Sequence, residues 1–510
     1  MNKPLLPIAA NLSAKDLLRQ TVPQWLASLD RRNLINGDLV KADMADEGIV
    51  VLNPATLGEL GVAAASNRND VDEAVASAKG AQPGWAALPA RKRGKMVAEA
   101  GRKLAEQAET LAMLLAMETG KAIRTECRGE LAVAADLLEF YGGLGSELKG
   151  ETLPFDPKVF ATTVREPLGV VAAILPWNVP LVLMMLKIGP ALVAGNTVVV
   201  KAAEEAPFAT IAAGVILDSV LPDGVVNVIC GDGPDCGAPL TAHPDIAKIT
   251  FTGSEDVGEI IYKTAASRII PVSLELGGKS PMIVCADADL DRAIDGAVSG
   301  MRFTRQGQSC TASSRIYVHA DLFEPFLSGL KARLATLRIG DPLDEATDIG
   351  TIISRVQAER IQHFVGLAEA SPGASVYRCG TLPTDDGLNA ALFLQPTLIT
   401  GLPEDHPCIT EEIFGPVTVI QPWTDLDEVI AAANGTRYGL AATVWTRDIA
   451  TAFAVTGRLN AGYVQVNQNL TIQPNLSYGG FGRSGLGKEA SLEAMLEHFT
   501  RKKTIAFSMG

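Results

Sequence analysis

Between residues 169 and 276, short runs of apolar residues alternate with longer stretches of helical periodicity. The short runs predict strands at residues 170–175, 197–200, 226–229, 246–251 and 269–274. The stretches between them predict helices at residues 181–194, 209–220, 235–242 and 255–267. Strands that are apolar on both faces and alternate with helices are typical of a parallel sheet covered on both sides. The predicted fold class is therefore α/β.

A second α/β pattern follows the first. An apolar run at residues 281–284 precedes a helical pattern at 290–303 and a strand pattern at 315–319. Before the first pattern, an arm of about 30 residues with one short helix leads to a helical region over 71–140. Residues 149–166 and 502–508 have extended patterns. We therefore predict an N-terminal helical part (1–145), two α/β units (169–276 and 277–492), and a small β arm (146–168 with 493–510).

Polar residues follow the predicted strands of the first α/β unit. They are, in chain order, Asn178, Lys201, Glu204, Gly253, Ser254 and Glu275. Open parallel sheets bind ligands beyond the carboxyl ends of their strands. The sequence therefore predicts a ligand site at this edge.

Composition narrows the range of partners. The 510 residues include 44 basic and 58 acidic side chains, and the net charge of −14 argues against nucleic acid or an anionic membrane as a partner. The most apolar region, 168–200, is interrupted by prolines, asparagines and a lysine, so we expect no membrane span. Seven cysteines without a CxxC pair predict free thiols in a reducing cytoplasm. Five histidines without metal-binding spacing predict no metal site.

Two residues carry the candidate chemistry. Cys310 ends the stretch Phe303-Thr-Arg-Gln-Gly-Gln-Ser-Cys310, whose polar residues are atypical of a packed core. Glu275 lies between two leucines in Leu274-Glu-Leu-Gly-Gly-Lys-Ser-Pro281. Apolar surroundings raise the pKa of a carboxyl group toward the range of a general base. A thiol nucleophile with a carboxylate base predicts covalent catalysis, and the alternative is an inert packed cysteine with a surface carboxylate.

These two stretches and a third, Glu411-Glu-Ile-Phe-Gly-Pro-Val417, resemble the NAD(P)-dependent aldehyde dehydrogenase superfamily in their order and spacing. The resemblance runs from about Asn33 to the C-terminus. It implies that Cys310 is the nucleophile and that Glu275 activates the water that hydrolyses a thioester. It also implies that Asn178, with the backbone N–H of Cys310, holds the oxyanion. Arg305 replaces the asparagine of most members, and we expect it to alter local packing or the surface.

The resemblance also gives each predicted unit a role. The helical part and the first α/β unit together would form a Rossmann-like NAD-binding domain, and the second unit would be catalytic. The β arm would join subunits into a homodimer or homotetramer.

Eight positions are assigned to the cofactor by this resemblance: Trp177, Lys201, Glu204, Gly253, Ser254, Gly258, Glu412 and Phe414. A carboxylate at Glu204 would accept hydrogen bonds from ribose hydroxyls and repel a 2′-phosphate, so we expect NAD to be preferred over NADP. The helix that starts after Ser254 would offer free N–H groups to a pyrophosphate. Ala202 stands where the family usually has proline.

Seven positions are placed around the aldehyde substrate: Val179, Leu183, Leu186, Ser309, Thr311, Ile472 and Tyr478. Most are apolar, and only Tyr478 is aromatic. No arginine is evident among the positions around the substrate. The expected substrate is therefore an apolar, aromatic aldehyde, and not a quaternary ammonium or carboxylated one.

Several alternatives stay open at this point. The substrate alternatives are an aliphatic aldehyde and a semialdehyde. Two alternatives concern the function itself. The chain could be a relative that releases an acyl-CoA instead of an acid, or a non-catalytic protein of the same fold. Relatives that acylate CoA often lack the glutamate, and Glu275 is present in this chain.

Overall fold

The computed structural model describes residues 12–13, 21–44, 47–469 and 472–510. The predicted N-terminal arm therefore lies largely outside the described residues. Its described part holds a two-residue strand and one short helix.

The N-terminal part of the described chain contains both α-helices and β-strands, and the two kinds of element continue to alternate after it. Those before residue 150 are β1 (Leu12–Ser13), α1 (Val22–Ser28), β2 (Arg32–Ile35), β3 (Asp38–Lys41), β4 (Ile49–Leu52), β5 (Glu59–Ala63), α2 (Arg68–Ala87), α3 (Ala90–Glu106), α4 (Ala108–Thr119) and α5 (Arg128–Gly143). Those of the middle region are β6 (Thr152–Asp156), β7 (Val159–Pro167), β8 (Val170–Ile174), α6 (Pro180–Ala194), β9 (Thr197–Ala202), α7 (Phe208–Asp218), β10 (Val226–Cys230), α8 (Ala238–Ala242), β11 (Ile246–Thr252), α9 (Glu255–Arg268) and β12 (Val272–Glu275). The remaining elements are β13 (Pro281–Val284), α10 (Leu290–Gly300), β14 (Arg315–His319), α11 (Ala320–Ala335), α12 (Arg355–Glu369), β15 (Ser375–Arg378), β16 (Thr397–Thr400), α13 (Pro407–Thr410), β17 (Val417–Trp423), α14 (Leu426–Ala433), β18 (Tyr438–Gly439), β19 (Ala441–Trp445), α15 (Ile449–Thr456), β20 (Tyr463–Val466), β21 (Phe481–Gly482), β22 (Gly485–Leu486), α16 (Leu492–His498) and β23 (Thr500–Ser508).

The first sheet contains nine strands within the described residues, in the order β1-β3-β2-β10-β9-β8-β11-β12-β22. Its five central strands are parallel, as predicted. Helices α6 and α7 are buried along their whole length, because their sequences are apolar on every side. Pro180 starts α6, and Gly195 ends it in a left-handed conformation with φ +101°.

The second sheet has seven strands among the described residues, in the order β15-β16-β17-β14-β13-β19-β20. Only its β15–β16 pair is antiparallel. A separate antiparallel sheet of β23, β7 and β6 joins the two predicted extended segments. The fold is thus α/β with two largely parallel sheets and a small β arm, which confirms the predicted fold class.

Two details differ from the sequence-based prediction. The N-terminal part is not purely helical, because β2 and β3 extend the first sheet beside β10 and β4 pairs with β5. The C-terminal segment of the arm is not extended throughout, because α16 occupies its first residues. No helix of the described chain is long and apolar enough to cross a lipid bilayer.

Candidate active site

The polar residues that follow the strands of the first sheet lie side by side. Strands β9, β8, β11 and β12 are neighbours in the sheet, so their carboxyl ends form one continuous edge. Lys201 is in register with the last residue of β8, and Glu275 is in register with Thr252 at the end of β11. The edge therefore gathers the predicted positions of the first α/β unit, whereas Cys310, Glu412 and Phe414 lie in the second unit.

The loop that carries Cys310 is held in an unusual backbone conformation. Arg302, Gln306 and Gly307 all have positive φ, of 57°, 58° and 63°. A side chain at Gly307 would lie 2.0 Å from the carbonyl oxygen of Gly415, so only glycine fits there. Non-glycine residues in this conformation are uncommon and are often found at functional sites.

The side chains of the two glutamines in this loop form hydrogen bonds with residues 350–353 of the same α/β unit. The side chain of Gln306 donates to the carbonyl of Gly350, and that of Gln308 accepts from the N–H of Ile353 at 3.1 Å. Their side chains are almost fully buried. The loop is therefore rigid, and it presents Cys310, which is partly exposed, to a cavity.

This cavity has a volume of about 570 Å³ and lies between the two α/β units. Six of the seven predicted substrate residues line it: Val179, Leu183, Ser309, Thr311, Ile472 and Tyr478. The seventh, Leu186, does not belong to the described lining, because its side chain is fully buried in the core around α6. Val182, Thr304, Tyr463 and Gln465 also line the cavity and were not predicted.

Three arginines in the cavity wall correct the expectation that no arginine lies around the substrate. They are Arg302, Arg305 and Arg333, and Arg333 is paired at 2.8 Å with Asp295, which also lines the cavity. Arg305 is engaged by the buried carboxylate of Glu126, with a nitrogen–oxygen distance of 2.6 Å. Arg302 approaches the carbonyl oxygen of Asn469 at 3.5 Å. Only the position of Arg305 was noticeable in the sequence, as a departure from the resembled family.

Two donors beside Cys310 suit an oxyanion. The side-chain amide of Asn178 donates one hydrogen bond to the carbonyl of Gln308 at 3.0 Å, and an amide nitrogen carries a second N–H. No described residue accepts a hydrogen bond from the backbone N–H of Cys310. Asn178 also lines the cavity. These donors suit the oxygen that gains negative charge when a carbonyl carbon bonds to the sulfur of Cys310.

A buried ion pair holds the backbone around Asn178. Lys121 forms a salt bridge with Glu130, and both side chains are almost completely buried. The ammonium group of Lys121 also donates to the carbonyl oxygen of Asn178 at 2.8 Å. Glu130 in turn accepts from the N–H of Leu181, in the first turn of α6, at 2.9 Å. This network fixes the turn between β8 and α6, and sequence reasoning missed it because neither charged residue lies in a motif.

Glu275 is buried at the end of β12 without a described hydrogen-bond partner for either carboxylate oxygen. A side chain at Gly479 would lie 2.6 Å from its Oε1 atom, so this glycine leaves the space the carboxylate needs. Burial, followed by the charge of Glu489, raises the pKa of Glu275 well above the ordinary value of a carboxyl group. These are the surroundings predicted for a general base.

Helix α9 begins at the same edge, directly after β11. Ser254 caps the helix, and its hydroxyl accepts from the N–H of Val257. A side chain at Gly253 would meet the ring of Phe251 at 2.4 Å, and one at Gly258 would meet Leu276 at 2.6 Å. No side chain fits at Gly253 or Gly258, whereas the first turn of the helix carries the carboxylates of Glu255 and Asp256. The N–H groups of this helix start are the predicted position for the phosphates of a dinucleotide.

The residues assigned to the two riboses lie at this edge and in the second α/β unit. Lys201 contacts the partly exposed carboxylate of Glu204 at 3.1 Å. Glu412 accepts from the N–H of Gly278 at 2.9 Å, and burial raises the pKa of Glu412 to about 7. The ring of Phe414 packs edge-on against Trp177, with centroids 5.4 Å apart. Glu204 and Glu412 are the carboxylates that the predicted cofactor site assigns to the two riboses of a nicotinamide dinucleotide.

Fold and site together have the arrangement expected of an α/β enzyme, with Cys310 as the candidate nucleophile. A partly exposed cysteine and an amide donor line one cavity beside the carboxyl edge of a parallel sheet, and the buried carboxyl group of Glu275 lies at that edge, outside the described lining.

Comparisons with known proteins identify the family. The family model "Aldehyde dehydrogenase family" matches residues 40–505. A protein named aldehyde dehydrogenase from Aspergillus niger is 39% identical over 479 residues, covering 93% of this chain and 95% of its own length. The solved structure of PnpE in complex with nicotinamide adenine dinucleotide, a protein of Pseudomonas sp. WBC-3, is 35% identical with a TM-score of 0.91, covering 94% of this chain and 98% of its own. An E. coli NADP dependent enzyme is 34% identical with a TM-score of 0.90, covering 94% of this chain and 99% of its own.

The chain therefore belongs to the aldehyde dehydrogenase family, whose members are NAD(P)-dependent oxidoreductases. This confirms the family and the enzyme class predicted from the sequence.

Proposed function

We propose that this enzyme oxidises an apolar, aromatic aldehyde to its carboxylic acid with NAD. The observation that carries the proposal is the cavity of about 570 Å³ that ends at Cys310. Val179, Val182, Leu183 and Ile472 contribute aliphatic walls. Apolar walls of this kind stabilise a buried ring by about 25 cal/mol per Å² of apolar area.

In the proposed mechanism, the thiolate of Cys310 attacks the carbonyl carbon and forms a thiohemiacetal. The amide of Asn178 and the backbone N–H of Cys310 stabilise its oxyanion, and one such donor lowers the barrier by about 3 kcal/mol. Bound NAD supplies the acceptor for the hydride that leaves this carbon. Glu275 then takes a proton from a water molecule, which attacks the Cys310 thioester and releases the acid.

Lys201 and Glu204 would hold the adenosine ribose, and the start of α9 would hold the pyrophosphate. Glu412, Phe414 and Trp177 would place the nicotinamide end near Cys310. The NAD complex of PnpE supports this placement, because that protein shares the fold at 35% identity.

The three arginines of the cavity favour a second candidate substrate, a semialdehyde that carries a carboxylate. A guanidinium group can form two parallel hydrogen bonds to one carboxylate group. Against this candidate, Arg305 is already paired with Glu126, and Glu130 adds a further buried acid to the lining. An anionic substrate would therefore meet acids as well as bases in this cavity.

A panel of aldehydes tests the substrate assignment. We expect benzaldehyde to give a higher kcat/KM than hexanal, betaine aldehyde and succinic semialdehyde, measured as NADH absorbance under identical conditions. The rate should not depend on added coenzyme A, since Glu275 provides a base for hydrolysis. A preference for succinic semialdehyde would replace the aromatic proposal with the second candidate. A preference for betaine aldehyde would exclude both.

Replacing Glu204 tests the cofactor assignment. We expect the wild type to prefer NAD and Glu204→Ser to shift the NAD-to-NADP ratio of kcat/KM by about 10- to 100-fold, since each lost charged hydrogen bond is worth about 1.5–3 kcal/mol. The matched control is Glu205→Gln, which changes the adjacent carboxyl group and should leave the ratio unchanged. A wild type that works better with NADP would refute the role given to Glu204.

We also propose that the arm of β6, β7 and β23 joins subunits into a homodimer or homotetramer. Several large apolar side chains of this small sheet are exposed, with Phe155 at 71%, Phe507 at 51% and Phe160 at 46%. Exposed apolar patches of this kind mark interaction surfaces. Light scattering on the purified protein distinguishes these assemblies from a monomer.

A further inference from the structure

The side chain of Tyr478 is held in one position beside Cys310. Its backbone forms an antiparallel bridge with Glu489, with hydrogen bonds of 3.0 and 2.7 Å in the two directions. Its ring packs at 65° against Tyr463, with centroids 5.7 Å apart. Only 3% of the residue is exposed. The phenol ring therefore has little freedom to turn its hydroxyl elsewhere.

The hydroxyl of Tyr478 lies 3.5 Å from the sulfur of Cys310, and among the described residues this sulfur is its hydrogen-bond partner. A neutral thiol is a weak acceptor, whereas a buried phenol O–H requires a partner. A thiolate accepts a charge-assisted hydrogen bond, which is about twice as strong as a neutral one. The hydroxyl is thus better satisfied by the ionised form of Cys310 than by the thiol.

The other groups around Cys310 give the thiolate little support. Burial raises the pKa of Cys310 to about 11, the hydrogen bond from Tyr478 opposes this rise, and the nearby carboxyl groups of Glu412 and Glu275 add to it. Arg302 and Arg305 favour the thiolate, but the charge of Arg305 is balanced by Glu126. Burial also raises the pKa of Tyr478 well above its ordinary value, so its hydroxyl keeps its proton and stays a donor.

We propose that Tyr478 is a catalytic residue whose hydroxyl donates a hydrogen bond to the Cys310 thiolate and so increases the fraction of reactive sulfur. The thiol proton leaves to water in the cavity, and Tyr478 retains its own proton throughout. This role goes beyond lining the substrate cavity. It rests on the proposed function only in taking Cys310 as the nucleophile.

Alkylation of Cys310 by iodoacetamide tests the proposal without any aldehyde. The rate of alkylation as a function of pH reports the thiolate, with Cys310→Ala as the blank for the other six cysteines, which are buried. In Tyr478→Phe, which keeps the ring and its packing, we expect the midpoint to rise by about one pH unit. The rate at pH 7.5 should fall about tenfold, the effect of losing one charged hydrogen bond.

Tyr317→Phe is the matched control, because it removes another buried phenol hydroxyl, from β14 in the second sheet. Its alkylation profile should equal that of the wild type. The proposal is contradicted if the midpoint of the alkylation profile is unchanged or lower in Tyr478→Phe and only the KM of the aldehyde changes. Tyr478 would then only line the substrate cavity. If the wild type itself reacts no faster than Cys310→Ala, the assignment of the nucleophile fails instead, and the two failures are distinguishable.

Discussion

Replacing Cys310 with alanine should abolish aldehyde oxidation while the protein stays folded and still binds NAD. Every covalent step of the proposed mechanism takes place on this sulfur, so no neighbouring group substitutes for it. Loss of a nucleophile lowers kcat by about 10⁴-fold or more. The dinucleotide edge lies on other elements, so NAD binding, followed by calorimetry, should change little.

The control for this variant is Cys379→Ala, which removes a buried thiol from the second α/β unit, outside the described cavity lining. We expect this control to retain nearly wild-type kcat. NADH production by purified Cys310→Ala at a rate within tenfold of the wild type would contradict the assignment of the nucleophile.

Replacing Glu275 with glutamine should separate the two halves of the reaction. Acylation needs the thiolate, whereas hydrolysis of the thioester needs a base. Stopped-flow absorbance should therefore show a burst of about one NADH per active site, followed by turnover slowed about 10²- to 10⁴-fold. Mass spectrometry of the quenched variant should find the acyl group on Cys310.

The pH dependence of the wild type should have a definite sign. Burial raises the pKa of Glu275, so its carboxyl group holds its proton to a higher pH than an ordinary glutamate. The base form is therefore lost as pH falls through this raised pKa, and hydrolysis slows in that direction. Glu275→Gln has no such group, and its residual turnover should lack this limb. Glu493→Gln, an exposed change on α16, is the control, and normal steady-state turnover in Glu275→Gln would remove Glu275 from this role.

The sequence predicted the first sheet well because its strands have a strong physical signal. Runs such as β8 and β10 are buried at every position, as parallel strands covered on both faces require, and Gly195 marks the end of α6. The missed strands lack this signal. β2 contains Arg32 and Asn33, and β22 has only two residues, so both depend on partners that are distant in sequence.

The cavity lining shows a similar limit. Val179, Leu183 and Leu186 have helical spacing, which suggests one shared face, yet the described lining includes only the first two. Arg302 adopts a left-handed conformation that no local pattern indicates, and this turn places it in the wall. Burial depth and backbone turns of this kind arise from tertiary packing, which overrides local preference.

The pairing of β22 with β12 also has a consequence for how the molecule is made. Gly485 of β22 pairs with Glu275, and the nearby Gly479 and Tyr478 complete the surroundings of Glu275 and Cys310. A ribosome must therefore synthesise the chain past residue 486 before the first sheet gains this edge strand. Contacts that span about 200 residues form slowly, because the intervening chain must be ordered first. The nascent protein thus emerges with Cys310 already made but without the segment that carries Tyr478 and Gly479, so the surroundings of Cys310 and Glu275 are completed late in folding.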